Sequence, residues 1–167
     1  MAPQINYEQF INDLDKRLSL YFSAYQSEIA CERGCSACCE KGDYPVSDIE
    51  LEYLIKGYSE LENDIKIQIQ NNIKNIEKGG QCPFLLHKEC SVYKYRPIIC
   101  RVHGLPYLCN DNVVKVPYCA NYGKCYKKSY SDGQFVGNPV KENLDTYALL
   151  KGYDCEIRNL YDWINKT

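Results

Sequence analysis

No stretch of this 167-residue chain approaches the roughly 20 consecutive apolar residues that a membrane-spanning helix needs, so no membrane role is expected. The opening Met1-Ala2-Pro3-Gln4-Ile5-Asn6-Tyr7-Glu8 lacks the basic and apolar regions of a secretory signal, which predicts a cytoplasmic, reducing setting. Strong charge is missing too. A formal net charge of −2 argues against nucleic acid as a partner. There is no Gly-x-Ser-x-Gly, no phosphate-cradling glycine loop and no His-Glu-x-x-His, so the common hydrolase, nucleotide and metalloprotease signatures are absent. Internal repeats, low-complexity tracts and linkers are also missing, and the length suits one domain over 1–167. With 45% hydrophobic residues the chain can build a core.

What is abundant is cysteine and tyrosine: 11 Cys and 16 Tyr. An odd number of thiols cannot pair completely. In a reducing compartment, clustered thiols bind metal or do redox work more often than they form structural disulfides. The bland alternatives are buried thiols acting as small hydrophobes, or disulfides in an exported form. Without export the Asn165-Lys166-Thr167 sequon has no meaning. The tyrosines suit the rim of a small core, where ring and hydroxyl meet different surroundings. Lys124, Lys127 and Lys128 alternate with Tyr122, Tyr126 and Tyr130, but at this net charge they read as a solvated basic face.

Helical periodicity runs over residues 5–30, through Ile11, Leu14, Leu18, Tyr21, Tyr25 and Ile29. Ser47-x-x-Glu50 is a capping box that predicts a helix stopping at Gly57. A second box, Ser59-x-x-Glu62, predicts another, carrying Leu61, Ile65, Ile69, Ile73 and Ile76 and ended by Gly79-Gly80. Short hairpins are predicted over 82–93, and over 105–116 around Cys109–Asn112. Asn138 as N-cap and Pro139 at the first turn predict a helical segment over 139–165. The fold expected is mainly α with short β-hairpins, a small single-domain helical scaffold around a cysteine-rich metal site.

Cys31-x₃-Cys35-x₂-Cys38-Cys39 places four thiols within nine positions, with Gly34 giving the backbone freedom of a tight turn. Adjacent side chains tend to diverge, so Cys38 and Cys39 suit a polynuclear cluster, or two centres sharing a loop, better than one tetrahedral ion. Cys82, Cys90 and Cys100 follow at irregular intervals. Arg96 and Arg101 flank Cys100 as candidate hydrogen-bond donors to sulfur, with surface ion pairs as the alternative. Pro97 fixes the turn before Cys100.

With Cys82-Pro-Phe-Leu, Cys90-x-Val-Tyr, Arg96-Pro97-x₂-Cys100-Arg101 and His103-Gly104-Leu105-Pro106, residues 31–121 resemble the YkgJ-type cysteine-cluster proteins. These are described as zinc- or iron-chelating and are often labelled Fe–S oxidoreductases. The resemblance implies a metal-binding core over 31–121 with eight thiols: Cys31, Cys35, Cys38, Cys39, Cys82, Cys90, Cys100 and Cys119. Cys109 stands as a rival to Cys119, and His103 as an alternative ligand. Cys125 and Cys155 fall outside the pattern and read as ordinary thiols. Eight thiols exceed the needs of one zinc ion or one [4Fe–4S] cluster. An iron–sulfur centre with a redox or electron-transfer role, served by a redox or protein partner, is the first expectation. A structural zinc module and a metal chaperone or sensor are the alternatives.

Overall fold

The computed structural model describes residues 6–31 and 34–165, the side chain of Asp111 apart. The expected helix start at residue 5, the middle of the Cys31–Cys35 segment and the last two residues of the Asn165 sequon lie outside them. Along the chain come α1 (Tyr7–Ala24), α2 (Ala37–Glu40), β1 (Pro45–Ser47), α3 (Asp48–Ser59), α4 (Asn63–Lys74), β2 (Leu85–Leu86) and β3 (Glu89–Cys90). There follow α5 (Ile98–Val102), β4 (Tyr107–Leu108), β5 (Val114–Lys115), β6 (Tyr130–Ser131), β7 (Gln134–Phe135), α6 (Thr146–Leu149), β8 (Ile157–Asn159) and α7 (Leu160–Ile164). Short 3₁₀ turns fill several of the connections. The mainly helical character with short strand pairs is as the sequence indicates. The strands pair two by two, all antiparallel.

The chain is arranged in two compact units, each built from separate segments. The first comprises Met1–Glu32 and Arg101–Tyr153, and the second Arg33–Cys100 and Asp154–Thr167.

In the first unit α1 buries Tyr7, Ile11, Leu14 and Leu18, with Asn6 as its N-cap. It stops short of residue 30 because Tyr25 and Ile29 turn to pack on a cluster of Cys119, Ala120, Cys125 and Tyr126. The Glu28 carbonyl there accepts from the Tyr126 N–H at 2.9 Å. Residues 139–165 are not one helix. Val140 instead joins the β4 hairpin: its N–H donates to the Pro106 carbonyl and its own carbonyl accepts from the Leu108 N–H. A backbone spent on those bonds cannot also close helical turns. Helix restarts only at α6 and α7, where Asp145 and Asn159 supply the caps.

The second unit packs around Val46, Leu54, Ile69, Phe84, Val92, Tyr95 and Leu160. The capping box at Ser47 forms as expected. Its carboxylate does more than cap, because Glu50 is buried and accepts from the Ser47 N–H, the Ser47 hydroxyl and the Ile98 N–H at 2.7, 2.9 and 2.7 Å. One side chain thereby joins the start of α3 to the start of α5, the helix that carries Cys100. Two boundaries differ from expectation. Gly57 lies inside α3 rather than ending it, and a Cβ there would stand 2.4 Å from the Tyr95 ring, so this glycine serves packing. Ser59 is the last residue of α3 and Glu62 caps α4, so the second capping box does not form.

Replacing Glu50 by Ala strands two buried N–H groups at about 1–3 kcal/mol each. Denaturant unfolding of Glu50→Ala is expected to show a loss of about 3 kcal/mol or more. Gly57→Ala is expected to cost about 1–3 kcal/mol by overpacking against Tyr95, read from the same unfolding curves.

Candidate metal centre

The second unit brings together thiols that are far apart in sequence. Cys38 and Cys39 lie on the single turn of α2, which is tied to the segment that begins at Cys82 by the Cys82 N–H donating to the Cys39 carbonyl at 2.8 Å. Gly42 N–H donates to the Gly79 carbonyl beside it. Cys82 opens the β2–β3 hairpin, Cys90 closes it opposite Leu85, and Cys100 sits in α5, held by Glu50. His87 and Lys88 make the hairpin turn with positive φ, as the short loop demands. All eleven cysteines are free thiols.

The adjacent pair departs from expectation. The sulfurs of Cys38 and Cys39 do not diverge but stand 3.8 Å apart. Two thiolates each about 2.3 Å from one tetrahedral ion are separated by roughly 3.8 Å, so the pair spans one edge of such a tetrahedron. Neighbouring Cβ atoms on a helical turn are about 100° apart around the axis, and side-chain rotation closes the remaining gap.

Electrostatics ties the five sulfurs into one group. Cys39 shares a hydrogen bond with Cys38, which holds Cys38 down to about 7 and pushes Cys39 up. Burial pushes Cys82 up to about 12 and raises Cys90; it puts Cys100 well above the usual thiol range, with Cys82, Cys90 and Cys38 adding to the shift. Opposing these costs, the backbone N–H groups of Phe84 and Leu85 bond to the Cys82 sulfur, and that of Val92 to the Cys90 sulfur. Arg96 is the cation that favours the charged forms of Cys38, Cys90 and Cys100. Its guanidinium lies 3.6 Å over the Tyr93 ring and donates to the Tyr93 carbonyl. Among the described residues, no three His, Cys, Asp or Glu side chains already stand in a metal-holding array. The chemistry of the donor set nevertheless fits a soft or borderline ion, with sulfur ligands, N–H donors aimed at sulfur and one nearby guanidinium.

The other expected residues are placed differently. Cys35 follows Gly34, whose φ is +88°, and is exposed. Cys31 and Cys119 belong to the first unit. Cys119 is buried with its sulfur 3.4 Å from that of Cys125, a contact the sequence reading missed. The spacing Cys119-x₅-Cys125 with Gly123 between was the available signal. The exposed Cys31 has its sulfur near Gly104, 3.9 Å from where a Cβ on that residue would stand. Cys109 begins the turn of the β4–β5 hairpin, where its N–H donates to the Val113 carbonyl. His103 has its pKa lowered by burial and lies beside the Tyr118 ring, 6.0 Å between centroids. Arg101 is buried in the first unit and donates to Asp15 at 2.5 Å, while Arg96 is the cation acting on Cys100. Cys155 is half-buried and is influenced by Asp48, Glu50 and Asp154.

A family model described as "CxxCxxCC: Putative zinc- or iron-chelating domain" matches residues 30–129. No curated protein and no solved structure matches the chain.

Exposure and burial set an order of thiol reactivity. In native protein treated with a chelator, time-resolved alkylation read by mass spectrometry is expected to label Cys35 well before Cys82 and Cys100. The reverse order would contradict the arrangement described.

Proposed function

The chain belongs to the CxxCxxCC family, and on that premise we propose that its second unit binds one tetrahedral metal ion, zinc in preference to an iron–sulfur centre. Four of the five thiols Cys38, Cys39, Cys82, Cys90 and Cys100 would hold it. Cys35, and the pair Cys31 and Cys119 in the first unit, would stand outside this ion's ligand set. The observation that carries the choice of a mononuclear ion is the 3.8 Å separation of the Cys38 and Cys39 sulfurs. The case for a polynuclear cluster leaned on those side chains diverging and on the irregular spacing of the later cysteines. Bound zinc supplies positive charge and cross-linking without redox chemistry.

The chain's own residues prepare for that charge. Phe84, Leu85 and Val92 direct N–H groups at sulfur, Arg96 offsets negative charge, and Glu50 seats the helix bearing Cys100. Ligands drawn from α2, the β2–β3 hairpin and α5 make the ion a staple between segments whose strands are too short to hold together alone. This supports a structural metal site that stabilises a binding module, and no residue is assigned to catalysis.

Anaerobically purified protein should be colourless, contain zinc and lack acid-labile sulfide. Cobalt(II) exchanged into the site should give the intense visible bands of tetrahedral thiolate coordination. Cys39→Ser, Cys82→Ser and Cys100→Ser should each lose most of the metal by elemental analysis, whereas Cys155→Ser should keep it. A brown protein with stoichiometric sulfide would replace this reading with the iron–sulfur one.

A further inference from the structure

Tyr44 is nine-tenths buried in the core of the second unit, 9% exposed, and its hydroxyl has no hydrogen-bond partner. Leaving a buried hydroxyl unsatisfied is costly, and native proteins rarely do so without a reason. Among the described residues, the other buried hydroxyls in this condition include those of Tyr107 and Thr146, which belong to the first unit, whereas Tyr44 belongs to the second. Its surroundings suggest what the hydroxyl is for. The ring packs in the cluster that also contacts Cys82 and Cys90. After burial itself, the influences acting on the phenol come from Cys82, Cys39, Cys100 and Cys38, in that order. Its backbone is held in place, since the Tyr44 carbonyl accepts from the Leu160 N–H at 2.8 Å.

We propose that the Tyr44 hydroxyl is the side-chain hydrogen-bond donor to the metal-bound thiolates of the second unit. The inference rests on the metal-binding reading above and deepens it. A neutral thiol is a weak acceptor, whereas a thiolate is a strong one. The hydroxyl therefore finds its partner only when the sulfurs are charged and held by a cation. Tyr44 is a positioning residue: on this proposal it acts on the ligands and does not bind the ion. Its donation spreads negative charge away from sulfur, adding a side-chain donor to the N–H groups of Phe84, Leu85 and Val92.

A phenylalanine at this position keeps the ring and removes only the hydroxyl, so the two forms of the protein should respond in opposite senses. In Tyr44→Phe, zinc affinity measured by competition with a chromogenic chelator should fall about 10-fold or more, in the range seen when such supporting donors are removed. The thermal midpoint of the metal-stripped variant should not fall, because an unpaired buried hydroxyl has been deleted. In the cobalt(II) protein the sulfur-to-metal charge-transfer band should move to lower energy, since sulfur electrons no longer stabilised by a hydrogen bond are more easily promoted. Tyr95→Phe is the control. It removes a hydroxyl that donates to Glu60 at 2.5 Å in the same unit, and should lower stability with and without metal while leaving the cobalt spectrum in place.

If the metal-stripped proteins do not fold, the rate of zinc transfer from loaded protein to the chelator replaces the affinity, and faster release from Tyr44→Phe supports the proposal. Tyr44 also lines a small cleft with Gly42, Ile76 and Pro83. A hydroxyl satisfied there by solvent would leave zinc affinity, release rate and cobalt spectrum all unchanged in Tyr44→Phe while wild type binds normally. That result overturns the inference and leaves the metal site standing. A wild-type protein that binds neither zinc nor cobalt overturns both.

Discussion

Sulfur in this protein is gathered where charging it is expensive. Five half-buried thiols of the second unit influence one another, and burial drives Cys82, Cys90 and Cys100 away from ionisation. Bringing several such groups together has little value for packing alone, because a cysteine side chain buries little area and a protonated sulfur is a poor hydrogen-bonding partner. The surrounding architecture nevertheless favours the charged form. Backbone hydrogen bonds from Phe84, Leu85 and Val92 and the charge of Arg96 act toward ionised sulfur. On the reading proposed above, a bound cation would resolve the contradiction, since it would displace the protons and offset the desolvation in one step.

Some of this was legible in the chain alone and some was not. The box formed by Ser47 and Glu50, the turn at His87-Lys88 and the amphipathic face of α1 were readable because each is fixed by neighbours a few residues away. The third bond of Glu50, to Ile98, was not, since nothing local announces a partner 48 positions on. Gly57 misled for the same reason. A glycine near the end of a periodic segment reads as a stop, and only the Tyr95 ring shows that it is a socket. The β6–β7 hairpin was missed although its Asp132-Gly133 turn, with φ of +51° and +78°, carries a recognised signal. Val140 was unreadable in another way. Its pairing with Pro106 and Leu108 overrode an Asn-Pro signal that favours a helix start.

For the site, the sequence offered a set of candidate cysteines but not how they divide. Cys38, Cys39, Cys82, Cys90 and Cys100 gather in one unit, while Cys31 and Cys119 belong to the other, where Cys119 meets Cys125. That division depends on tertiary packing rather than on interval counting. The direction of two adjacent side chains likewise depends on rotamers that no sequence pattern encodes. Tyr44 gave no warning among sixteen tyrosines. What distinguishes it is a buried, unpartnered hydroxyl in the unit that holds the five thiols, and such a property exists only once the chain is folded.

The way the second unit is assembled also bears on how it comes into being on the ribosome. Strand β1 pairs with β8, joining Pro45–Ser47 to Ile157–Asn159, and α7 follows at once. All five gathered thiols have been synthesised by residue 100, yet the strand that pairs with β1 in the same unit is translated more than fifty residues later. During that interval the nascent cysteines are available to cellular metal and oxidants while β1 still has an unpaired edge. Capture of an ion at that stage would guard the thiols until the last strand arrives.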